Sequence, residues 1–162
     1  IYHTNDNETR FNPNLYRDGK VCLSILNTWK GESWSSCQSI KSILLTILSI
    51  LNNEPLLNEP GIKKEHEDFI RYNQVITYKS YEYALIKQYN IVNIFTELFK
   101  EDMSNYIKNN KNLILKELHK NETFIKNEYK TSSLELRIRI YSFTTNIDYL
   151  KIIDLFNNIK IE

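Results

Sequence analysis

The stretch Asn12-Pro13-Asn14-Leu15-Tyr16-Arg17-Asp18-Gly19-Lys20-Val21-Cys22-Leu23-Ser24-Ile25-Leu26 constrains the fold more than any other part of the chain. Pro13 fixes its own φ and keeps Asn12 out of a helix. Gly19 punctuates a turn, and the Val, Ile and Leu that follow favour a short strand or irregular extended run over residues 20–26. Cys22 therefore ends an extended segment, flanked by Val21 and Leu23, and does not lie inside an amphipathic helix. Asn14 is 22 − 14 = 8 residues upstream, and a loop that doubles back would bring its amide to the sulfur. A thiol beside an amide donor suits acyl transfer, in which the thiolate attacks a carbonyl and the donor stabilises the developing oxyanion.

This run resembles the active-site segment of the ubiquitin-conjugating (E2) family. The family pattern is His-Pro-Asn, a short turn with Gly, Ile/Val-Cys-Leu-x-Ile-Leu, and then Trp. The matching residues are Asn12-Pro13-Asn14, Gly19, Val21 to Leu26, and Trp34. Asn12 replaces the usual His, and residues 27–34 lengthen the loop before the Trp; both features are similar to the large E2/E3 hybrid enzymes (BRUCE type). Residues 53–61 continue the similarity. The strong resemblance covers roughly residues 10–61, with a weaker continuation to about Asn90. It implies that Cys22 accepts ubiquitin from an activating enzyme as a thioester, and that a lysine amine then attacks. It further implies that Asn14 organises the loop and stabilises the oxyanion. Glu59 stands where the family places an acidic residue that can orient or deprotonate the incoming ammonium. Residues 34–40 occupy the place of the loop that meets a partner ligase, with Ser36 replacing a Pro and Cys37 an Ala.

The implied fold is α+β: a UBC-like fold, truncated at the N-terminus, predominantly helical, and carrying extra C-terminal helices. Residues 1–90 are expected to hold the catalytic segment and residues 91–162 a helical extension packed on it. Members of the family carry a first helix and about three strands before the Asn-Pro-Asn segment, whereas eleven residues precede Asn12 here. The expectation is that those strands come from sequence outside these 162 residues, or are replaced by the C-terminal helices.

Composition narrows the alternatives. With 41% hydrophobic and 25% charged residues the chain reads as globular. A formal net charge of +1 gives no field that favours nucleic acid or an anionic membrane. The apolar run from Ile40 to Leu51 is too short and too interrupted to span a bilayer. No basic segment followed by an apolar core opens the chain, and the N-x-Thr sequons at Asn7 and Asn121 carry little weight in so Asn-rich a sequence. Cys22 and Cys37 form no Cys-x-x-Cys pair, and a reducing compartment, the cytoplasm or nucleus, fits them best. His3, His66 and His119 share no metal-ligand spacing, and glycines at 19, 31 and 61 make no phosphate cradle. No cofactor is called for.

Along the chain, residues 1–10 read as an extended lead-in. Ser39 is suited to cap a helix from Ile40 to Asn52, whose apolar residues 40, 43, 44, 47, 48 and 51 fall on what should be a buried face. Residues 53–61, with two prolines, end it. A long helix is expected over residues 65–90, a second over 94–108, a third over 111–120, and a last over 146–159. Over residues 131–143 the alternation of Leu134, Leu136, Ile138 and Ile140 with Glu135, Arg137 and Arg139 argues for a strand, while the family resemblance favours helix.

Each candidate has a plainer reading. Free cysteines are commonly buried and inert; an Asn in a turn commonly bonds its own backbone; Glu59 could be a solvated loop residue. Trp29 and Trp34 are expected to anchor loops, and Cys37 to be a small packing residue. The second reading of the whole is a non-enzymatic helical interaction module, a remnant of a UBC-like domain.

Overall fold

The computed structural model describes residue 2 and residues 6–161. His3 lies outside the described residues, as does much of the expected N-terminal lead-in. The fold is α+β and helix-rich: α1 (Ile40–Ile50), α2 (Phe69–Lys79), α3 (Gln88–Asn90), α4 (Ile94–Leu98), α5 (Lys100–Tyr129), a hairpin of β1 (Leu134–Ile138) and β2 (Phe143–Ile147), and α6 (Tyr149–Asn157). Two compact units divide the chain. The first holds residues 1–76 and 138–143, the second 77–137 and 144–162.

In the first unit, the short strand or irregular extended run expected over residues 20–26 takes the irregular form: an isolated bridge at Val21, an extended Leu23 and a 3-10 turn, Ser24–Leu26. Leu15, Cys22, Leu23, Leu56, Tyr72 and Val75 are buried in its core. Helix α1 starts where Ser39 predicts, with a reciprocal capping box between Ser39 and Ser42. Its expected buried face is not found: α1 has no buried residue, and Ile40, Leu44, Leu45, Leu48 and Leu51 are exposed. The periodicity correctly marked a helix with an apolar stripe, of which Ile43 and Ile47 are half-buried while Ile40, Leu44, Leu48 and Leu51 are left exposed. Pro55 opens a 3-10 turn, Pro55–Asn58, which ends at Glu59.

The long helix begins at Phe69, four residues later than expected, and runs on through a π-helical stretch, Ser80–Lys87, into α3. Within that wider stretch Glu82 pairs with Lys79 at 2.8 Å, both side chains being about nine-tenths buried. The two helices expected over 94–108 and 111–120 are instead the short α4 and the 30-residue α5. Lys130, in the left-handed region at φ 56°, stops α5. Helix α6 packs on α5, burying Tyr149, Ile152, Ile153 and Phe156, and the Tyr149 ring meets Tyr78 edge-on at 5.4 Å. Asp148 caps α6 by accepting from the Lys151 N–H at 3.0 Å.

Residues 131–143 answer to their own period of two and not to the helix that the resemblance favoured. In β1, Leu136 and Ile138 point inward while Glu135 and Arg137 face solvent. β2 alternates likewise through Phe143, Thr145 and Ile147; its last residues, Asn146 and Ile147, were expected in the final helix, which begins instead at Tyr149. Residues 139–142 turn between the strands, with Ser142 at φ 51° and its N–H donating to the Arg139 carbonyl.

Candidate active site

The loop around Cys22 is held by local backbone chemistry. The Leu15 N–H donates to the Asn12 carbonyl at 2.9 Å, and the chain doubles back through a turn in which the Gly19 N–H donates to the Tyr16 carbonyl. Gly19 has φ 83°, which a side chain would strain. The Cys22 N–H then donates to the Asn14 carbonyl at 2.8 Å, while the Asn14 side-chain amide donates to the Cys22 carbonyl, also at 2.8 Å. The two residues are thus bonded in both directions. Thr28 pins the other side: its Oγ1 accepts from the Leu23 N–H at 2.9 Å and donates to the Val21 carbonyl at 2.8 Å. Cys22 itself is 2% exposed, so its sulfur is packed in this conformation.

Asn12 is fully buried and takes over a bridging role. Its amide donates to the Ile50 carbonyl at the end of α1 at 2.8 Å, and its Oδ1 accepts from the Asn14 N–H at 2.9 Å. Asn58 donates to the same Ile50 carbonyl at 2.9 Å. A helix C-terminus leaves carbonyls without intrahelical partners, and here two side-chain amides satisfy one of them.

Glu59 follows Asn58, and its N–H closes the 3-10 turn on the Leu56 carbonyl at 3.1 Å. Its carboxylate accepts a 2.5 Å hydrogen bond from the Tyr141 hydroxyl at the hairpin turn. Tyr141 is fixed from several sides. Its ring meets Tyr72 edge-on at 5.6 Å, and the Arg10 guanidinium lies 4.4 Å from its centroid and 3.9 Å from that of Tyr16. Its carbonyl accepts from Arg17, in the turn that precedes Cys22. Asp68, fully buried, accepts from the N–H groups of Arg139 and Ile140 at 2.9 and 2.8 Å. The Tyr72 hydroxyl donates to the Arg10 carbonyl at 2.6 Å. Burial, and then the hydrogen bond to Glu59, push the Tyr141 phenol well above its ordinary pKa, so it keeps its proton as a donor.

The structure therefore brings Asn14 and Cys22 into direct contact. Glu59 is bonded to neither; it is tied to that loop through Tyr141, which also receives Arg17, and it adjoins Asn58. Tyr141, Asp68, Arg10, Asn58 and Thr28 were not singled out from the sequence. Asn58, Thr28 and Tyr141 lay within segments already marked, residues 53–61, 27–34 and 131–143, but nothing marked the residues themselves. Two other expectations change. Cys37 is exposed, not a packing residue. Trp29 and Trp34 keep 48% and 45% of their surface in solvent, so neither indole is a buried anchor. Residues 34–40, where a ligase loop was expected, are exposed apart from the half-buried Gln38.

Residues 4–83 match a family model described as ubiquitin-conjugating enzyme. Ubiquitin-conjugating enzyme E2 Z of Homo sapiens is 48% identical over 84 residues, which are 51% of this chain and 24% of that protein. The probable ubiquitin-conjugating enzyme protein 17 of Caenorhabditis elegans is 30% identical over 155 residues, 90% of this chain and 21% of that protein. The dual E2 ubiquitin-conjugating enzyme/E3 ubiquitin-protein ligase BIRC6 of Homo sapiens is 52% identical over 66 residues, 38% of this chain and 1% of that protein. The chain thus spans about a quarter or less of the length of each of these relatives.

Proposed function

Because the chain belongs to the ubiquitin-conjugating enzyme family through residues 4–83, we propose that it carries ubiquitin as a thioester on Cys22 and transfers it to a lysine amine. The observation that carries this reading is the pair of reciprocal hydrogen bonds between Asn14 and Cys22. In the first step the Cys22 thiolate attacks the thioester carbonyl of ubiquitin on its activating enzyme, and the activating enzyme's thiol leaves. In the second, the neutral lysine nitrogen attacks the Cys22 thioester carbonyl, the carbon–sulfur bond breaks, and the lysine proton departs. Asn14 serves the tetrahedral intermediate by turning its amide from the Cys22 carbonyl to the oxyanion. Glu59 orients the ammonium before it loses its proton. Cys22 is packed, so loading requires its sulfur to become accessible.

The partners are ubiquitin, its activating enzyme and a ligase docking on residues 34–40, where Ser36 in place of a Pro alters the usual contact. Among the described residues no helix is long and apolar enough to cross a membrane, and we place the reaction in the cytoplasm or nucleus. The second reading, a non-enzymatic interaction module, is favoured by the buried thiol and by the exposed apolar stripe of α1. Mixing the full-length protein with activating enzyme, ATP and ubiquitin separates the two. The carrier forms a conjugate that thiol reductant removes; the interaction module forms none.

A further inference from the structure

We propose that Tyr141 is a positioning residue for the lysine acceptor: its hydroxyl holds the Glu59 carboxylate in the orientation from which that carboxylate meets the incoming ammonium. This rests on the reading of Cys22 as the thioester carrier. Tyr141 lies outside residues 4–83, the segment that matches the family. It reaches Glu59 across 82 positions of sequence with a hydrogen bond of 2.5 Å. Such a bond to a charged acceptor is among the stronger ones a side chain makes.

The turn that bears Tyr141 is held more firmly than packing alone demands. Asp68 grips the two N–H groups immediately before it, Arg17 donates to its carbonyl, and its ring is set between Tyr72 and Arg10. A phenylalanine would satisfy every one of those contacts. The hydroxyl adds one thing only among the interactions that fix the turn, the bond to Glu59. Burial and then the hydrogen bond to Glu59 raise the phenol's pKa, so the hydroxyl keeps the proton it donates. The same residue is joined through Arg17 to the turn before Cys22, so the carboxylate and the thiol loop are referenced to one rigid point.

Single-turnover discharge of the full-length protein tests this. Cys22 is loaded, the activating enzyme is quenched, and the thioester is offered free lysine or 2-mercaptoethanol. Tyr141→Phe should load as the wild type does and discharge onto lysine about tenfold more slowly, as expected for losing a hydrogen bond to a charged group. Discharge onto the thiol, which has no ammonium to orient, should stay within about twofold, and in a Glu59→Ala background Tyr141→Phe should add no further loss. Equal slowing toward both acceptors, no slowing toward lysine, losses that multiply with Glu59→Ala, or loss of folding in Tyr141→Phe would each overturn the assignment. Failure of the wild type to load is a different outcome: it removes the carrier function itself, and this proposal with it.

Discussion

Asn14 makes one visible use of its short side chain, and we propose a second. Its amide donates to the Cys22 carbonyl at 2.8 Å, an architectural bond, and the same amide is the proposed donor to the thioester oxyanion. The two uses can be separated. Asn14→Ala should slow discharge onto lysine by about 10²–10³, the usual cost of removing an oxyanion donor, and should slow loading much less. Equal loss in both steps with a lowered melting temperature would make Asn14 purely architectural. Glu59→Ala should weaken discharge onto lysine but not onto a small thiol, and the defect should shrink as pH rises and more of the lysine is already neutral. Equal slowing of both acceptors at every pH would return Glu59 to the loop. At this scale much was legible in the sequence, because Asn12, Asn14, Gly19 and Cys22 act through a turn that their own spacing defines. Asn12 illustrates this: an amide bridging two backbone groups is what the structure places there. Tyr141 and Asp68 were illegible for the opposite reason. Their partners lie 82 and about 70 positions away, and nothing local in either residue marks a long-range bond.

Among the elements, the hairpin and α1 show how far periodicity carries. Alternation over residues 134–139 identified β1 although the family resemblance pointed to helix, because inward Leu136 and Ile138 alternate with outward charges whatever the ancestry. For α1 the capping Ser39 and the apolar stripe marked a helix correctly, but a stripe reports only that a face is apolar, not that something covers it. The joining of the two expectations within α5 has a similar cause: Asn109 and Asn110 separate them in sequence, yet Asn is tolerated on the solvent side of a helix and no Gly or Pro interrupts it. The hairpin turn depends on Asp68, which satisfies two backbone N–H groups from a fully buried position. Asp68→Ala leaves both donors without that acceptor and should cost about 2–6 kcal/mol in a denaturant titration, at about 1–3 kcal/mol for each unsatisfied buried group. Asp68→Asn, which keeps one oxygen, should cost less. A loss below about 0.5 kcal/mol in Asp68→Ala, the range of ordinary surface substitutions, would show that the turn does not need it.

Taken whole, the molecule joins a family segment, residues 4–83, to a helical remainder, and gives residues 138–143 back to the unit that holds the candidate site. That return could not be read from sequence, since the boundary expected near residue 90 followed the fading of the resemblance and not the packing of the chain. The central claim is that Cys22, and not the exposed Cys37, is the residue that carries ubiquitin. It is tested most directly by loading the full-length protein with activating enzyme, ATP and ubiquitin and comparing single cysteine variants on a non-reducing gel. The account predicts a conjugate that reductant removes, that survives in Cys37→Ala, that is absent in Cys22→Ala, and that becomes a reductant-resistant oxyester in Cys22→Ser. A conjugate that persists in Cys22→Ala and vanishes in Cys37→Ala would contradict it.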